Sequence, residues 1–201
     1  MILDMTEVHV PLLQNSKTKF QKERYSMSKC CDKRKICCKD KEFIKSDTYA
    51  DCIHHAFYDE NGKKFPHQYR IPNATLDAYK TELLPLEKEF MSSKDFDKIY
   101  ELFKKHKTYG IGILTIYDVA LRVSQNYKIY PDYVYLHAGT KTGALNAGLI
   151  KKYGKNDKLT LDEISKKLKW LKGVKPYLIE DFLCVYKDDI SEKSLQTFLQ
   201  K

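Results

Sequence analysis

The sequence predicts a mostly α-helical protein, a multi-helix single domain with a basic N-terminal extension, and three observations carry that prediction. Apolar residues recur at helical spacing over most of the chain beyond residue 45. Glycines number eight and prolines six in 201 residues, too few for the frequent turns of an all-β chain. Hydrophobic residues make up 42% and include fifteen tyrosines, enough apolar surface to exclude a disordered chain. The length suits one domain plus an extension.

Residues 1–45 differ from the rest. A short apolar start, Ile2 to Leu13, gives way to a basic stretch from Lys17 to Lys35 that lacks clear periodicity. It reads as a basic, cysteine-containing arm ending near Ser46, with one α-helical domain over 46–201. Ser46 and Asp47 are candidate caps for a first helix with Tyr49, Cys52, Ile53, Ala56 and Phe57 on its core face. After an Asn61–Gly62 turn, FPHQYRIP is expected to run extended, because each proline disfavours helix in the residue before it.

Helices are expected next over 72–84 and 93–106, with a kink at Pro85; the second places Phe96, Ile99, Tyr100 and Phe103 on one stripe. Ile113, Ile116, Tyr117, Ala120 and Val123 mark another helix. Thr160 and Glu163 have capping-box spacing ahead of Leu161, Ile164, Leu168 and Leu171. Pro176 suits the first turn of a helix carrying Ile179, Phe182, Leu183 and Tyr186, and Ser191 is a candidate cap for a short last helix.

Lysine and arginine outnumber acids by 36 to 27, a net charge of +9. Such an excess attracts polyanions, because binding phosphates releases condensed counterions; solvated helix faces are the alternative use of the same lysines. No stretch approaches the roughly 20 apolar residues of a membrane span, and the first residues lack a secretory pattern. A cytoplasmic protein without membrane partner and with reduced thiols is therefore expected.

The most informative segment is KKHKTYGIGILTIYDVALRV, two amphipathic stretches around a Gly-x-Gly turn. It resembles the helix–hairpin–helix motif of DNA-binding and DNA-repair proteins, with Gly110, Gly112 and Thr115 in the matching positions and Ile116 where that family usually has a small residue. The physical argument stands beside the resemblance: two glycines permit positive φ and close backbone approach. The amides opening the second helix then face outward, at the positive end of the helix dipole, as an anion site. Lys104, Lys105 and Lys107 add charge around Tyr109, Gly110, Ile111, Gly112 and Thr115 without reading base sequence. The expectation is sequence-independent, salt-sensitive binding of nucleic acid, duplex DNA first. An ordinary αα-hairpin turn is the plainer reading of the same glycines.

NGKKFPHQYRIP, YDVALRVSQNYKIYPDYVYLHAGTKTGA and EDFLCVYKD together resemble a bacterial protein family, a likeness that implies a shared fold and no particular activity. Two runs in them are candidates for a second polar site: His67, Gln68 and Arg70, and His137, Gly139, Thr140 and Lys141. HAGTKTGA reads as a small-residue turn opening a helix, where amides and Lys141 could hold another phosphate. Alternatively His137 and Arg70 are buried partners of Asp118, Glu180 or Asp181.

The helix–hairpin–helix resemblance also implies an enzymatic alternative, a DNA glycosylase in which a catalytic aspartate, Asp132 here, serves a base rotated out of the duplex. Leu114 stands where bifunctional members carry a lysine, which disfavours Schiff-base chemistry. A protein-interaction module with incidental lysines is the third possibility. Cys30, Cys31, Cys37 and Cys38 form two adjacent pairs rather than C-x-x-C, so reduced thiols are expected and no metal or cofactor is assigned. Cys184 reads as core.

Overall fold

The helical periods become short helices, several of them bounded by a proline, a glycine or a capping side chain. The computed structural model describes residues 9–10, 25–26, 45–152, 154, 157–188 and 190–191. It is mostly helical, with two small antiparallel ladders. Of the N-terminal region it describes strands β1 (His9–Val10) and β2 (Tyr25–Ser26), paired antiparallel. The expected basic arm, the four paired cysteines and a helix beyond Ser191 otherwise lie outside the described residues.

The portion read as one domain divides into two compact units, Asp40–Pro131 and a second one taking in Asp132–Lys201. No Gly- or Ser-rich linker marks the change, which falls within the continuous string KIYPDYVY, so composition could not show it.

In the first unit, α1 (Tyr49–His55) begins one residue later than a cap at Asp47 suggests and two later than one at Ser46. Thr48 is the cap, its hydroxyl accepting from the Asp51 amide. Ser46 instead exchanges two hydrogen bonds with the Asn126 side chain, at 3.1 and 2.9 Å. The face expected to be core, Tyr49, Cys52, Ile53, Ala56 and Phe57, is buried. FPHQYRIP is not extended throughout: Pro66–Gln68 forms a 3-10 turn, since Pro66 takes a first-turn position where its missing N–H costs nothing.

Next come α2 (Asn73–Leu83), a 3-10 turn over Leu84–Leu86 at Pro85, and α3 (Glu87–Ser92). Asp95 caps α4 (Phe96–Lys105), accepting from the amides of Asp97 and Lys98. Its stripe of Phe96, Ile99, Tyr100 and Phe103 is buried, at about 1.5–3 kcal/mol for each large apolar side chain. The stripe packs on α5 (Ile113–Asn126), in which every residue from Thr115 to Ser124 is buried. A helix buried all round is the centre of its unit. Within it Arg122 donates to the Ala56 carbonyl at 2.9 Å, lies 3.8 Å over the Phe65 ring and stands 4.0 Å from Asp118.

In the second unit, β3 (Tyr133–Tyr135) leads into α6 (Ala138–Asn146). β4 (Lys158–Thr160) pairs antiparallel with β3, Val134 opposite Leu159. The Thr160–Glu163 capping box forms and opens α7 (Leu161–Lys167), followed by a 3-10 turn over Lys169–Leu171. α8 (Pro176–Val185) starts at its proline and packs on α6. Val134, Leu159, Ile164, Leu171, Ile179 and Leu183 belong to one core.

Candidate functional site

The connection between α4 and α5 is built by its glycines. Gly110 has φ +87°, a left-handed conformation open to glycine at little cost. Ile111 between the glycines is 4% exposed and anchors the loop to the core. Gly112 is the N-cap of α5, with extended backbone and, among the described residues, no side chain capping the helix. The Ile116 amide bonds the Gly112 carbonyl at 3.1 Å, which leaves the amides of Ile113, Leu114 and Thr115 without an acceptor among the described residues.

Space beside Gly112 is open. A β-carbon built on Gly112 would meet nothing within 4 Å. Gly112 and Ile113 are exposed, and Tyr109 is wholly so at 101%. Thr115 is buried. Lys105 and Lys107 are exposed, whereas Lys104 Nζ donates to both carboxylate oxygens of Glu101, at 2.9 and 3.2 Å. The surrounding unit, Asp40–Pro131, holds fourteen basic and fourteen acidic residues, so the chain's positive excess lies elsewhere.

The two runs proposed as a second polar site fall in different units. His67 and Arg70 are exposed, so Arg70 is not the buried partner of an acid, while Gln68 is fully buried. In the other run His137 is the N-cap of α6 and lies against the Tyr135 ring, centroids 6.2 Å apart. Thr140 is buried and donates to Glu180 Oε1 at 2.7 Å, tying α6 to α8.

Gly139 and Gly143 are explained by that same contact. A β-carbon on Gly139 would stand 2.7 Å from Cys184 Sγ, and one on Gly143 would overlap the Leu183 carbonyl. Lys141 Nζ donates to the Gly154 carbonyl at 2.9 Å and lies 3.6 Å from Asp157. HAGTKTGA is thus a helix made small so that another helix can approach, with its lysine engaged inside the unit. Glycine-rich strings look alike whether they admit a phosphate or a neighbouring backbone.

Asp132 is an exposed bend residue just before β3, and the hairpin belongs to the other unit. Burial pushes the Cys52 thiol up, which keeps it protonated and unreactive in the core. Among the described residues no group of three His, Cys, Asp or Glu side chains is placed to hold a metal ion, and no helix is long and apolar enough to cross a membrane. No family model, no curated protein and no solved structure matches the chain.

Proposed function

We propose that this protein binds the phosphate backbone of nucleic acid, duplex DNA in the first instance, through the α4–α5 connection used as a helix–hairpin–helix. The observation that carries the reading is the open, uncapped N-terminus of α5, where the amides of Ile113, Leu114 and Thr115 have no acceptor among the described residues. Those donors and the helix dipole suit a phosphate oxygen. Tyr109 and Ile113 lie along the sugar–phosphate surface, and Lys105 and Lys107 add charge beside it. Nothing in this set reads a base edge, so binding is independent of sequence. On this reading the protein works in the cytoplasm, a compartment that suits the free thiols of Cys52 and Cys184.

Ile113→Pro tests the reading. Proline at the first position of a helix keeps the helical φ and removes one N–H, and Gly112 already has the extended backbone that a residue before proline prefers. The fold is expected to survive by circular dichroism, while affinity for a short duplex falls about tenfold, the scale of a hydrogen bond to a charged group. A folded variant with unchanged affinity would remove the hairpin as the binding element.

A further inference from the structure

We infer that Lys166, Lys169 and Lys172 form a second, linear surface for the nucleic-acid backbone, in the unit that does not contain the hairpin. The inference rests on the nucleic-acid reading for its ligand, and on separate observations for its place. From Ile164 to Ile179 the sequence holds five lysines and no acid.

Local geometry sorts that stretch into two rows. The Leu171 amide bonds the Leu168 carbonyl at 2.9 Å, Lys172 bonds Lys169 at 3.2 Å and Val174 bonds Leu171 at 3.1 Å, all three-residue turns. Lys169–Leu171 is the 3-10 turn, and the last of the three bonds closes a tight turn through extended Lys172 and left-handed Gly173. Leu168, Leu171 and Val174 are all buried, and Lys169, Lys172 and Lys175 are all exposed. Lys166, one step earlier on α7, continues the exposed row. Lys166, Lys169 and Lys172 make no ion pair within 4 Å among the described residues, Lys166 acting on Glu163 at longer range, whereas Lys167 donates to the Gly148 carbonyl and Lys175 lies 6.0 Å over the Tyr177 ring.

Complementarity to a helix dipole accounts for lysines in the last turn of α7, Lys166 and Lys167, but not for Lys169 and Lys172 beyond it. The exposed large apolar side chains among the described residues, such as Tyr69, Tyr109 and Ile113, all lie in the other unit. The row offers exposed charge in a stretch, Ile164 to Ile179, that holds no acid. A run of cations without interleaved acids matches a polyanion. It also answers a deficit, since the hairpin stands in a unit with no net charge and its amides release no counterions of their own.

That difference makes the two surfaces separable in the full-length protein. Binding of a short duplex is measured from about 50 to 200 mM salt, where log K falls by about 0.9 per phosphate neutralised. The triple variant Lys166→Gln, Lys169→Gln, Lys172→Gln is expected to flatten that slope by about 2–3, and Ile113→Pro to lower affinity with the slope unchanged. An unaltered slope in the folded triple variant overturns the lysine row and leaves the hairpin standing. A flattened slope with no effect of Ile113→Pro leaves the row and removes the hairpin. Absence of duplex binding by the parent protein overturns both, and binding to anionic phosphatidylserine vesicles instead, lost in the triple variant, assigns the row to a membrane surface.

Discussion

Gly143 in α6 lies directly against the main-chain carbonyl of Leu183 in α8, leaving no room for a β-carbon between them. Backbone stands on the far side of that contact, so a larger residue cannot be relieved by a rotamer change. Gly143→Ala is therefore expected to destabilise the protein by roughly 1–3 kcal/mol, the usual cost of overpacking, despite alanine's better helix propensity. A urea titration of the variant checks this, and a midpoint at or above the parent's would refute the close packing of α6 on α8.

Gly112→Asp sets stability against binding. The Gly112 backbone is extended, the space around it is empty, and an aspartate there can accept from the amides that open α5. Capping and the dipole together are worth about 0.5–1 kcal/mol, so the thermal midpoint should rise. DNA affinity should fall, because a carboxylate now occupies the donors and repels phosphate. A variant that gains stability and keeps its affinity would show that phosphate does not use those amides.

Glu163 carries a predictable pH dependence. The Thr160 amide donates to its carboxylate at 2.8 Å, with the Thr160 hydroxyl adding a second bond, and together they hold its pKa below the usual value. The fold favours the ionised form. Its contribution is present above the unfolded-state pKa and is lost as pH falls through the lowered folded value. Glu163→Gln keeps the capping geometry without a titrating group, so its urea midpoint should decline less steeply than the parent's on the acid side. Parallel curves for both proteins would exclude Glu163 as a source of acid sensitivity.

Sequence signals are plain where the physics is local. The 3.6-residue stripe of α4, the Thr160–Glu163 box and Pro176 at the start of α8 depend on neighbours within one or two turns, and each is found in the structure. Cap choice at α1 went astray because Ser46, Asp47 and Thr48 are chemically equivalent candidates. Only the long-range bond from Ser46 to Asn126 takes the serine elsewhere. The β3–β4 pairing carried no local mark, since each strand is three residues long and its partner lies beyond α6.

Charge shows the same division. The total of +9 is legible in composition, but its allocation between a neutral hairpin unit and a lysine-bearing one depends on where the chain divides, at Pro131. Spacing marks Gly110 and Gly112. Whether the amides beyond them remain without acceptors was not legible, because that depends on every group the fold brings near.

By itself the sequence determined a helical protein with particular core stripes, caps and a glycine-containing turn between two helices, since each follows from the intrinsic preferences of residues a turn apart. Tertiary structure alone decided that Gly139 and Gly143 serve helix packing, that Lys141 is engaged while Lys169 and Lys172 are exposed, and that the start of α5 is left open. Identical residue types meet different fates there because solvent access and hydrogen-bond partners belong to the assembled neighbourhood, which no stretch of chain encodes in isolation.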